Sequence, residues 1–353
     1  MGISVVFGFI SALLFGLAAP FNKMLLEGLT PFQLAGLLYT GAAIGLLPKV
    51  ISEKGFSKVL RMNRDNKKLL AGAVLLGGVA GPVVLLFGLK IAEASSVSMW
   101  LNLELVFTAL LGHFVFRDYL GKLGWLGILG AVFAAGLLSW EGGMVGIRAG
   151  LLVATACLFW GLDNHFTALI DEISPTTNTF FKGLFAGPIN LLIGFTAGSF
   201  VGEPSVIGYS LILGIFSYGV SIALYISSAQ GIGATRAQVI FASAPFFGVG
   251  GSLLFLNESL SFLQYGAAGL LIIALIPLLI DNHLHSHFHE TTTHQHLHGH
   301  GEGHHNHSHD NIYLPGWIPH VHEHKHENTE HRHPHLPDIH HRHRHKDSSV
   351  DEG

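Results

Sequence analysis

The sequence predicts an all-α polytopic membrane protein: ten transmembrane helices as two inverted five-helix repeats, followed by a largely disordered His-rich tail. Three observations predict it. Composition changes abruptly near Leu279: of the 25 histidines only His113 and His165 precede residue 281, and the rest fall between His283 and His345. Long apolar runs recur through residues 1–280, with charges gathered in the gaps. The two halves of that apolar region also align with each other at a shift of 140 residues.

A hydrocarbon core of about 30 Å takes roughly 20 residues of helix. Ten segments meet that length, some at its lower limit: 3–24, 32–50, 68–90, 94–115, 122–140, 148–170, 175–198, 206–229, 234–255 and 262–280. A soluble helical protein would need a polar exterior, which apolar spans joined by such short loops do not supply. Helix is the spanning state because lipid satisfies no backbone polar group. Glycines such as those of AGAVLLGGVAG (71–81) and GVGGS (248–252) let helices approach closely in a bilayer. The single cysteine, Cys157, lies in an apolar span, so there is no disulfide framework. The N-terminus reads as a first spanning helix: no basic stretch precedes it, and Pro20, Asn22 and Lys23 follow at once.

Orientation follows from the loop after the second segment, which carries Lys49, Lys54, Lys58, Arg61, Arg64, Lys67 and Lys68. The positive-inside rule puts it in the cytoplasm. An even number of spans then puts both termini there too, in a plasma or inner membrane. Loops 141–147 and 199–205 fall outside and carry no Lys or Arg, while Arg148 at the edge of the sixth segment dissents mildly.

The repeat divides the chain into 1–140, 148–280 and a tail, 281–353. LVFTALLGHFVFRDYLGKLGWLG (105–127) lies over PFFGVGGSLLFLNESLSFLQYGA (245–267), which aligns Asp118 with Glu258. LFGLAAPFN (14–22) resembles LFWGLDNHF (158–166) with one inserted residue. Five spans per half is odd, so the halves enter the membrane from opposite sides. Inverted repeats recur in secondary transporters, where the halves exchange conformations around a central cavity. A membrane scaffold or a membrane enzyme stays open as an alternative.

These stretches also resemble the drug/metabolite transporter superfamily, EamA-like branch. The carriers are LLFGLAAPFNK (13–23), CLFWGLDNHF (157–166) and SAPFFGVGGSLLFLNESL (243–260), and the resemblance covers residues 1–280. The first half departs from it: Leu105 takes the place of Pro245, preceded by Glu104. The resemblance implies a ten-helix transporter of small organic solutes with both ends inside. It transfers fold and transport mode and leaves the substrate open.

Intramembrane charges mark cavities or partners. Glu104, among apolar neighbours in LNLELVF (101–107), is the first candidate: it can bind a proton or a cationic solute, or tie two helices together. Asn102 precedes it on a different face of the helix. Asp163, Asn164 and His165 are adjacent and cover a wide arc, so at least one should face the cavity. His165 reads more readily as an interhelical hydrogen bonder than as a cavity residue. Lys23 either snorkels to the interface or attracts an anionic solute. Pro20, Pro82, Pro188 and Pro245 can bend their helices, for gating or for packing alone.

The tail alternates histidine with other residues. Its candidate metal ligands are His320, His322, His324, His326, His331, His333, His335, Asp338, His340, His341, His343 and His345. Imidazole suits zinc, nickel, cobalt and copper. A bending tail with many such groups reads as a buffer, sensor or delivery arm; a polar low-complexity tail is the plain alternative. The histidines also titrate near pH 6.5, which makes a pH sensor a competing use. No GxxxxGK[ST] loop is present, so no nucleotide is expected. Neither catalysis nor a nucleic-acid partner is expected, and the oligomeric state is open. Three functions remain: a solute transporter regulated through metal on the tail, an exporter of a divalent metal, and a membrane-anchored metal sensor or store.

Overall fold

A computed structural model describes residues 2–116, 120–170, 172–197, 203–232, 237 and 240–280, together with four strands of the tail. Among these residues, eight helices are long and apolar enough to cross a membrane. They are α1 (Ile3–Leu25), α2 (Pro31–Ser52), α3 (Arg64–Ile91), α4 (Ala94–Phe116), α5 (Lys122–Glu141), α6 (Gly143–Leu169), α7 (Pro175–Thr196) and α8 (Pro204–Ser228). Two shorter apolar helices follow, α9 (Ala244–Phe255) and α10 (Phe262–Pro277). The ninth span expected over 234–255 is thus described as helix in its second half; residues 233–236, 238 and 239 lie outside the described set.

The exterior is apolar. On α5, Leu126, Leu129 and Phe133 lie along one stripe and are more than half exposed, as are Phe262 and Leu254 farther along. A protein dissolved in water would hide such a belt; lipid tails accept it. Residues up to 280 form an all-α, multi-pass membrane protein.

Helix ends are set by local chemistry. Thr30 accepts from the Gln33 backbone N–H while the Gln33 side chain accepts from Thr30, a reciprocal cap that starts α2. Ser261 and Gln264 repeat that box ahead of α10. Asn63 caps α3 through the Asn66 N–H, and its own backbone and side-chain amides donate to Glu172, in the connection between α6 and α7, at 2.9 and 2.8 Å. At the opposite end of the bundle Lys23 donates to the carbonyls of Leu89 and Ala92, both at 2.8 Å, closing the C-terminus of α3. The Glu258 carboxylate accepts from the Ala94 and Ser95 N–H groups that open α4. Asp118, its partner in the sequence alignment, lies outside the described residues.

Two packing features stand out. Residues Val74–Ala80 of α3 and Gly214–Val220 of α8 wind as π-helix, at a separation of 140 residues. Helix pairs also recur under exchange of halves: α1 packs on α8 as α6 packs on α3, and α1 on α9 as α6 on α4. The α2–α7 and α5–α10 pairs are their own counterparts. Across the α2–α7 seam a Cβ on Gly36 would meet the Leu191 backbone nitrogen at 2.8 Å, so the two backbones touch where small residues allow it.

The tail, expected to be largely disordered, contains four short strands. His283–His289 pairs antiparallel with Thr329–His335, and Thr293–His298 with His320–Lys325. The register sets His283, His285 and His287 against His335, His333 and His331, and His294, His296 and His298 against His324, His322 and His320. Period-two alternation is the pattern a strand accepts, which accounts for the difference. His326, Asp338, His340, His341, His343 and His345 lie outside the described residues.

Candidate functional site

Helices α1, α4 and α9 enclose a cavity of about 40 Å³ at the crossing of the two halves. Its walls include Phe15 and Gly16 from α1, Ser98, Asn102 and Glu104 from α4, and Phe241, Ala244 and Pro245 from the second half. Sequence dictates the crossing: a Cβ on Gly16 would overlap the Ala244 carbonyl, so only glycine lets α1 and α9 cross there. α4 interrupts its helix at Leu101–Asn102, between Ala94–Trp100 and Leu103–Leu111, directly beside the cavity.

Glu104 turns into this space from the turn after the interruption. Its Oε1 accepts from Asn164 Nδ2 of α6 at 2.9 Å, and the same amide reaches Thr108 Oγ1 at 3.3 Å. Asn102 lines the cavity and donates back to the Met99 carbonyl at 3.0 Å. Of the three adjacent polar residues on α6, only Asn164 points at Glu104.

Asp163 faces the other way, into a buried ion pair. Lys182 Nζ of α7 lies 2.9 Å from Oδ1 and 2.8 Å from Oδ2, and Thr167 Oγ1 joins both partners at 3.1 and 3.3 Å. Both charged side chains are 10% exposed. A Cβ on Gly77 of α3 would lie within the Asp163 carboxylate, so glycine makes the room. Gly77 is part of the π-wound stretch, which takes carbonyls off the regular helical ladder. Its carbonyl accepts from Tyr39 Oη at 2.7 Å and Trp160 Nε1 at 3.1 Å, and the Gly78 carbonyl from Asn190 Nδ2 at 3.1 Å.

His165 bonds through Nε2 to the Thr108 carbonyl at 3.0 Å and stacks on Phe116, with ring centroids 4.1 Å apart. It ties α6 to α4, the second of the two roles the sequence leaves open. Lys23 caps α3 and is not among the described residues that line the cavity. We expect Lys23→Met to destabilise the protein by about 1–2 kcal/mol, the scale of hydrogen bonds to a charged donor. Thermal unfolding of the purified protein measures it, and solute affinity should stay as in the wild type.

The four prolines divide. Pro20 follows a break in α1 at Leu17, Pro82 follows the π-wound stretch of α3, and Pro245 is in the first turn of α9. Pro188 lies inside an uninterrupted helix. Sequence reasoning missed Lys182, although a lysine in the middle of FFKGLF (180–185) is itself the signal. It also missed the aromatic group that Phe15 makes with Phe241, Tyr218 and Trp160, at centroid distances of 5.3, 6.2 and 6.4 Å. Among the described residues no group of three or more His, Cys, Asp or Glu could hold a metal ion.

Comparison with known proteins agrees with this architecture. A solved crystal structure superposes with a TM-score of 0.60 at 16% identity, covering 78% of this chain and 96% of that one, a likeness of fold. An uncharacterized transporter of Methanothermobacter thermautotrophicus is 28% identical over 294 residues, 76% of this chain and 84% of its own length. The profile of the EamA-like transporter family matches twice, over residues 2–140 and 147–280. The chain therefore belongs to the EamA-like transporter family, whose members are transporters and not enzymes.

Proposed function

We propose that this protein moves a small organic solute by alternating access, through ten helices built as two inverted repeats, 1–140 and 148–280, with both termini in the cytoplasm. The observation that carries this reading is the exchange symmetry of the packing. The π-wound stretches of α3 and α8 repeat at the 140-residue shift, and α1–α8 and α1–α9 have their counterparts in α6–α3 and α6–α4. Two halves that can trade places around one cavity can open it to either side in turn. Glu104 and Asn102 are the polar contacts for the solute, oriented by Asn164.

The tail modulates transport through a divalent metal such as zinc, nickel, cobalt or copper. The strand register, with histidine opposite histidine at six places, favours this role. Export of the metal itself is the weaker reading, because among the described residues the cavity walls contain no histidine or cysteine and one carboxylate. A metal sensor or store without transport is the third.

Flux in proteoliposomes tests all three. Glu104→Gln should cut organic solute flux at least tenfold. Zinc should change the flux of the full chain and leave a chain ending at Leu279 unaffected. Zinc flux abolished by Glu104→Gln would instead mean metal export, and no flux of either kind would leave the sensor.

A further inference from the structure

The described walls of the central cavity include one carboxylate, Glu104, and two aromatic side chains, Phe15 and Phe241. Among the described residues Glu104 forms no ion pair, and its partner is the neutral amide of Asn164. The nearby cation on α7, Lys182, is already taken by Asp163. Phe15 and Phe241 are both among its walls, with centroids 5.3 Å apart, and Tyr225 packs on Phe241 at 4.7 Å. Ring faces and a carboxylate attract the same ligand class, an organic cation. An anion would meet Glu104 with no counter-charge in the described walls, and a polyhydroxy solute would find mostly apolar wall.

A second cavity, of about 360 Å³, opens along the same helix toward the end where Lys23 and Glu258 lie. Glu93, Ser96, Trp100, Glu141 and Gln264 are among its walls, and Trp100 is one helical turn before Glu104. Carboxylates thus line each of these two cavities beside α4. At about 40 Å³ the central one has room for a few waters, or for an ammonium head in their place.

We propose that the central cavity binds the ammonium group of a small organic amine, with Glu104 as counter-ion and Phe15 and Phe241 against the cation and its apolar body. The proposal names the substrate class of the transporter read above and rests on that reading for flux, though not for binding.

The test uses full-length protein and three probes of matched shape: phenethylammonium, phenylacetate and 2-phenylethanol. Calorimetry measures binding and proteoliposomes measure flux. Phenethylammonium should bind at least tenfold more tightly than either of the others. Glu104→Gln should erase that preference, Glu104→Asp should keep it, and Phe241→Leu should weaken the cation several-fold at unchanged thermal stability. Equal binding of the three probes, or a preference that survives Glu104→Gln, would overturn the proposal. If phenylacetate or the alcohol is transported and the amine neither binds nor moves, the amine assignment fails and transport stands. If the amine binds through Glu104 and nothing moves, the assignment stands and the transport reading fails.

Discussion

Replacing Lys182 with methionine should destabilise the folded protein by about 3–5 kcal/mol, because it leaves the Asp163 carboxylate buried without its cation. Asp163→Asn should cost a similar amount by stranding the ammonium. The pair lies between α6 and α7 with both side chains 10% exposed, and Thr167 is the neutral partner that remains. The double replacement Asp163→Leu/Lys182→Met removes both charges together. It should recover most of the loss, since two apolar groups of similar volume suit the same site. Equilibrium unfolding in mixed micelles gives the three values. Single variants as stable as the wild type, or a double variant with the summed loss, would show that the pair is not held as described. Flux separates structure from transport: a double variant that folds and no longer transports makes the pair a working part of the conformational cycle.

Gly77→Ala should be nearly as damaging, for a steric reason. The added Cβ would overlap the Asp163 carboxylate, which Lys182 grips at both oxygens and which therefore cannot swing aside. The backbone cannot yield easily either, because the Gly77 carbonyl is held by Tyr39 and Trp160. We expect a loss of several kcal/mol, on the order of that from breaking the ion pair itself. In an Asp163→Ala background the obstacle is gone and the added cost of Gly77→Ala should fall to about 1 kcal/mol or less, a coupling that a double-mutant cycle reads directly. Gly136→Ala on α5 is the control. A Cβ there meets nothing within 4 Å, so stability should move by no more than about 0.5 kcal/mol. A Gly77 variant as stable as this control would remove the steric argument.

Much of the architecture was legible beforehand because it depends on local properties. Apolar length marks a spanning helix wherever it occurs, and α1 to α8 fall on the expected segments. The ninth is described as helix over Ala244–Phe255, and part of the expected run before it lies outside the described residues. Glu104 was legible for the same reason: a carboxylate amid leucine and valine is conspicuous in one dimension, and it lines the central cavity. Lys23 was legible as a charge, but its carbonyl partners were not, since they lie more than sixty residues away in the chain.

By itself the sequence determined that this chain spans a membrane many times as helices and that its halves resemble each other, because hydrophobicity, length and repetition are written along the chain. Only the tertiary structure decided what each intramembrane polar group faces. Neighbours on α6 differ by about 100° in direction, so Asp163 meets Lys182, Asn164 meets Glu104 and His165 meets Thr108. Those choices depend on which helices pack together, and the packing is set by glycines such as Gly16, Gly36 and Gly77, which govern how closely one backbone can approach its neighbour.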